Sequence, residues 1–144
     1  MDWINVPDNV EDWFGFIYRI ERINALPGER RFYIGKKQFF SNTKVKVKNK
    51  TRCKRVSKPS DWKRYYGSSN ELKAAIALHG KENFKREILE LTTCKWESAY
   101  LELIWQLKEN VIVREDYYNG ILNLRIGKVP KDLKQKLTDR FNQG

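Results

Sequence analysis

The sequence predicts an α+β fold, and three observations carry that expectation. Between Gly15 and Lys37 two short stretches with the alternation of β-strands flank a Pro-Gly turn. Two later stretches, ELKAAIALH and KWESAYLELIWQLKEN, repeat apolar residues at helical spacing. A third alternating run, FKREILEL, lies between them. The resulting order is strand, strand, helix, strand, helix.

Each element has a local cause. The N-terminal segment carries Trp3, Trp13 and Phe14, apolar enough to anchor it across a sheet. In the first strand Phe14, Phe16, Tyr18 and Ile20 alternate with Gly15, Ile17, Arg19 and Glu21. Pro27-Gly28 turns the chain, Pro fixing φ at the second position and Gly taking the left-handed third. Phe32, Tyr33 and Ile34 start the return strand, and Gly35 ends it where backbone approach is close. Such a hairpin sets Tyr18 near Tyr33, with Lys36 and Lys37 just past the rim.

The next stretch is basic. Lys44-Val45-Lys46-Val47-Lys48 alternates like an edge strand whose lysines discourage unwanted pairing. Trp62, Tyr65 and Tyr66 interleave with Lys63 and Arg64, either as stacking faces for bases or as pins holding the segment to the core, the second role suiting Trp62 better. Ser68 and Glu71 read as a capping box for the first helix, which Gly80 closes. His79, the only histidine, sits at that helix's C-terminal end, where the dipole favours it. In the third strand Phe84, Arg86 and Ile88 point one way. Thr92 and Thr93 precede the second helix as candidate caps, and Trp96, Tyr100, Leu103 and Leu107 read as its buried stripe. Glu102 falls beyond that stripe, between Ser98 and Gln106, where a glutamate is ordinarily on the surface. Asp116 to Gly120 reads as a turn, and 130–141 as an amphipathic helix, a candidate lid or DNA contact.

The 144 residues read as one domain, with a hairpin at 14–36, a basic insertion at 37–67, a helix–strand–helix remainder at 68–124 and the C-terminal helix at 130–141. Two cysteines are too few for a zinc site and suit a reducing compartment, and neither a membrane-length apolar run nor a signal peptide is visible. The expected location is cytoplasmic. The net charge of +11 is concentrated: Lys36 to Arg64 holds twelve of the 29 basic residues and one of the 18 acids, leaving 17 of each sign elsewhere. A field so placed attracts polyanions and makes their binding salt-dependent. A solvated basic loop is the plain alternative.

Ile17-Tyr18 followed by Tyr33-Ile34-Gly35 resembles the GIY-YIG nuclease family, with Phe16 standing where the family usually has Gly. The resemblance extends from about Gly15 to Asn119: the YLELI segment sets Glu102 at the family's metal position, and Tyr118-Asn119 is similar to its trailing YN. YIGKK, SDWKRYYGSS, ENFKREIL and YYNGIL look closer still to bacteriophage-encoded members. The resemblance implies a three-stranded antiparallel sheet flanked by helices. It also implies a phage-encoded DNA endonuclease that uses one divalent ion, Mg²⁺ or Mn²⁺, on duplex DNA. Such a protein would act as a monomer or homodimer, away from membranes. In the carried-over site Glu102 binds the metal, Tyr18 is the general base, Tyr33 orients water or phosphate, and Asn119 completes the set. Tyrosine ordinarily titrates near 10, so a lysine or metal-bound water must favour the ionised form. Candidate DNA contacts are Lys36, Lys44, Lys46, Lys48, Lys63, Arg64 and Arg86.

One departure stands out. The family's first-helix arginine falls on Thr43, inside the insertion. Lys37 is the first candidate to neutralise the developing phosphorane charge, ahead of Arg64 and Arg86. A second alignment takes Tyr66-Gly67-Ser68 as the YIG and brings His79 to a helix histidine, but leaves Tyr33-Ile34-Gly35 a coincidence. Two rival readings remain: a catalytically inactive nucleic-acid-binding protein on the same scaffold, and a basic structural protein of a nucleoprotein particle.

Overall fold

A computed structural model describes residues 2–46, 53–122 and 125–142. Strands β1 (Gly15–Arg22), β2 (Phe32–Gln38) and β5 (Phe84–Thr92) form a three-stranded antiparallel sheet in the order β2-β1-β5. Strands β3 (Phe40–Lys46) and β4 (Cys53–Pro59) pair separately as an antiparallel two-stranded ribbon. Helices α1 (Asn70–His79), α2 (Lys95–Lys108) and α3 (Lys134–Asn142) complete the domain. The expected α+β class and the strand–strand–helix–strand–helix order are both present, with β3 and β4 inserted before the first helix. Lys44 and Lys46 fall on β3; Lys48 lies outside the described residues.

Burial on both faces explains why β1 is central. Phe16, Tyr18 and Ile20 enter one apolar cluster with Trp3, Phe39, Trp62, Leu72 and Phe84. Ile17 enters another, on the opposite face, with Ile34, Leu101, Val111 and Leu133. The Pro27-Gly28 turn forms as expected, with Gly28 at φ +88° and Glu29 N–H bonded to the Leu26 carbonyl at 3.0 Å.

Phe16, standing where the resemblance expects glycine, is completely buried and packs on Trp3 at 5.1 Å and Phe39 at 4.8 Å. Trp62 crosses Phe39 at 5.0 Å, and its carbonyl accepts the Trp3 indole N–H at 2.7 Å. The insertion is therefore pinned at both of its ends by an aromatic cluster. Trp3 and Ile4 also cover β5, where Ile4 exchanges backbone bonds with Arg86 and Ile88. That covers an edge otherwise open to pairing.

Several sequence expectations need correction. Ser69, not Ser68, caps α1, its hydroxyl accepting the Leu72 N–H. The cap of α2 is Cys94, while Thr93 donates its N–H and hydroxyl to Glu97. The stripe expected on α2 is also rotated. Leu107 is 56% exposed, whereas Glu97, Ser98, Leu101 and Gln106 are buried. The helix lays a partly polar face on the sheet, so hydrophobicity alone misplaces it. Arg86 is 3% exposed, its guanidinium lying over Tyr66 at 4.0 Å and Trp3 at 4.7 Å. It donates to the carbonyls of Lys63 and Tyr65 and so holds the insertion's return, which removes it as a DNA contact. Finally, α3 buries Leu137 in the second cluster and pairs Lys136 with Glu97 and Arg140 with Glu90, docking it as part of the core.

Candidate active site

Register brings the two tyrosines together. Tyr18 on β1 lies opposite Gly35 on β2, beside a β-bulge against β5 at Ile17/Tyr18. The Tyr18 ring lies across Gly35 toward the sheet edge: a Cβ on Gly35 would stand 2.5 Å from the Tyr18 hydroxyl and 3.0 Å from the Tyr33 ring. Only glycine leaves that path open. The ring centroids of Tyr33 and Tyr65 lie 6.1 and 6.0 Å from that of Tyr18, and both rings act on its hydroxyl. The Tyr33 hydroxyl lies 3.3 Å from that of Ser68, on the loop that turns at Gly67 with φ +93°.

Helix α2 supplies the carboxylate. Ser98, Glu102 and Gln106 form one row along its inner side, and Glu102 faces the Lys36 end of β2. Loss of hydration pushes its carboxyl above the usual range, while the Lys36 charge and backbone N–H pull it down. Gln106 donates to the Ile34 carbonyl at 3.1 Å. Asn119 accepts the Ile34 N–H at 3.0 Å and donates to the Ile34 carbonyl at 2.8 Å. Both ends of that amide are bonded to one backbone unit, so Asn119 fixes the Tyr33–Gly35 edge rather than facing substrate. Replacing it with alanine leaves the buried Ile34 N–H without a partner, the carbonyl keeping Gln106, and is expected to destabilise the fold by about 1–3 kcal/mol, read from urea unfolding. An unchanged midpoint would contradict that role.

A cavity of about 680 Å³ opens here, lined by Tyr33, Ser68, Glu102, Gln106, Asn119 and Arg125 among others. A second, of about 290 Å³, is lined by Lys36, Lys37, Tyr65, Lys95 and Ser98 among others. Tyr18, 1% exposed, lines neither, but its ring neighbours Tyr33, which borders one, and Tyr65, which borders the other. Burial first, then the neighbouring Tyr33, Tyr65 and Glu102, push the Tyr18 hydroxyl well above its usual range, opposite to what an ionised base requires. Tyr33 is pushed up as well, chiefly by burial.

Tyr33, Glu102 and Asn119 thus share one cavity, with Tyr18 beside them. Lys37 borders the other cavity, paired with Asp61 at 2.7 Å and lying 4.2 Å above the Tyr65 ring. Asp61 is 57% exposed, so that ion pair is worth under about 1 kcal/mol and does not lock the lysine. Lys63 and Arg64 are exposed on a single 3-10 turn, Trp62–Arg64, before α1. The alternative alignment fails: Tyr66-Gly67-Ser68 is loop, and His79 bonds Arg22 at 3.1 Å outside both cavities. Gln106 and Arg125 escaped the sequence reading as site residues, and Tyr65 was read as a stacking face or a pin, because no periodicity ties them to the hairpin.

A three-stranded sheet with a tyrosine facing a Tyr-Ile-Gly edge strand, and a helix glutamate beside that edge, defines a GIY-YIG domain. The family model described as "Putative endonuclease segE, GIY-YIG domain" matches residues 3–122, and the chain belongs to the GIY-YIG family. The activity that membership implies is that of an endonuclease. No curated protein and no solved structure matches the chain.

Proposed function

We propose that this chain is a divalent-metal-dependent DNA endonuclease, phage-encoded and acting in the host cytoplasm. The observation that carries the reading is the convergence of Tyr33 and Glu102 on one open cavity beside the Tyr18 hydroxyl. No helix among the described residues is long and apolar enough to cross a membrane. The protein would work as a monomer or homodimer.

Glu102 is the residue that would hold the ion. Among the described residues no group of three or more His, Cys, Asp or Glu could form a metal cage. A single carboxylate on a roomy cavity suits one hard ion that keeps most of its waters, Mg²⁺ or Mn²⁺, and not a two-metal centre. When bound, the ion supplies Lewis acidity toward phosphate oxygen.

The chain's own residues do the rest. Tyr33 orients the water and the phosphate. Tyr18 accepts the water's proton as its own passes by way of the Tyr33 or Tyr65 hydroxyl to solvent, so it never has to be ionised at rest. The water oxygen bonds phosphorus, the bond to the 3′ oxygen breaks, and that oxygen takes a proton from solvent. Lys36 and Lys37 hold the adjoining backbone phosphate. A plasmid-nicking assay tests the reading: nicks that need Mg²⁺ or Mn²⁺ support it. Binding without cleavage in either ion would favour the inactive binder, the reading recommended by a first helix that carries no arginine, Thr43 lying on β3 instead.

The β3–β4 ribbon is the proposed duplex contact, since a two-stranded ribbon fits the major groove. Log affinity against log salt should fall by about 0.9 per phosphate contacted. Changing Lys44, Lys46, Lys48 and Lys50 to Ser should flatten that slope and spare the rate at saturating DNA. An unchanged slope would make the ribbon a solvated arm.

A further inference from the structure

We propose that Arg125 meets the phosphate undergoing cleavage and neutralises the charge it gains in the transition state. The inference rests on the endonuclease reading and assigns its missing cation. Tyr33, Glu102 and Asn119 share their cavity with Ser68, Ser69, Gln106, Tyr118, Gly120, Ile121, Leu122 and Arg125, and only Arg125 in that set is positively charged. A phosphodiester brought beside the Glu102 carboxylate adds a second negative charge, and attack by water spreads more of it over the equatorial oxygens. A guanidinium answers that need well, because its planar fork can donate two parallel hydrogen bonds to phosphate oxygens and remains charged at any working pH.

The backbone delivers Arg125 to this place from both sides. Upstream, Tyr118 N–H bonds the Phe32 carbonyl at 2.7 Å and Asn119 clasps Ile34, tying the chain to the Tyr33 strand. Downstream, the Gly127 carbonyl accepts the Trp96 indole N–H at 3.1 Å, tying it to α2, the helix that carries Glu102. Arg125 lies between these ties, exposed and on the cavity wall. Lys37, the sequence-based candidate, borders the other cavity instead. On the wall of the Glu102 cavity the cation comes from the segment after Asn119, while the hairpin lysines Lys36 and Lys37 line the neighbouring one.

The test compares Arg125→Ala, Arg125→Lys and Lys37→Ala in single-turnover cleavage of a duplex with Mg²⁺, alongside duplex binding without divalent ions. Arg125→Ala should slow the bond-breaking step by about a hundredfold or more while changing binding only a few-fold. Arg125→Lys should recover part of the rate, and Lys37→Ala should act mainly on binding. A cutting wild type whose Arg125→Ala cuts equally fast, or loses rate only in proportion to binding, overturns the inference alone. The same holds if Lys37→Ala takes the large single-turnover loss. A wild type that binds but never cuts overturns the endonuclease reading, and this inference with it.

Discussion

Glu102→Gln is expected to remove metal-dependent cleavage by at least about three decades, roughly 4 kcal/mol of transition-state stabilisation, without weakening the fold. The side chain keeps its volume; only the charge that an ion needs is lost. Desolvation makes the ionised carboxylate unfavourable here, and a group whose folded-state pKa is raised contributes stability at low pH that is lost as pH rises through that pKa. At neutral pH the wild-type charge therefore costs stability, and Gln should leave the melting temperature equal or higher. The same shift sets a pH dependence. Cleavage should fall on acidification beginning at a higher pH than an ordinary glutamate would give, because protonation competes with the metal. A mutant that cuts at the wild-type rate would return Glu102 to the surface role that a helix glutamate usually has.

Much of this site was legible because it depends on local patterns. The Tyr18–Tyr33 hairpin follows from alternation and a Pro-Gly turn, and strand register then forces the two rings together. Gly35 was legible as a point of close approach, and the approaching group is the Tyr18 hydroxyl. What stayed hidden depends on packing between distant segments. The inner face of α2 carries Ser98, Glu102 and Gln106 because the sheet edge offers it polar backbone at Ile34 and Lys36, and a hydrophobic stripe cannot report that. Arg86 looked like one more cation of a basic protein, yet two aromatic faces and two carbonyls bury it. Arg125 has no periodic context at all, and only the cavity shows its neighbours.

Tyr18→Phe should lower the single-turnover rate by about two decades or more while changing stability by no more than about 1 kcal/mol. The ring would keep its contacts with Trp3 at 5.4 Å, Phe16 at 6.0 Å and Tyr33 at 6.1 Å. The neighbouring Tyr33 and Tyr65 are only partly buried, and their hydroxyls can turn to water. Function and packing thus separate at one atom. Burial and three neighbouring acidic groups hold the Tyr18 proton on, so the folded state resists ionisation more than the unfolded chain. That contribution to stability is complete below about pH 10, tyrosine's ordinary value, and fades as pH climbs toward the raised folded-state value. Alkaline unfolding of the wild type should therefore include a component that Tyr18→Phe lacks, measurable as a flatter fall of melting temperature above pH 10. In cleavage, the wild-type rate should rise with pH as the tyrosine network gives up its proton more readily, and the mutant profile should lose that rise. A mutant that cuts as fast as wild type, with the same pH profile, would make Tyr18 a core aromatic and move the proton transfer to Tyr33 or solvent.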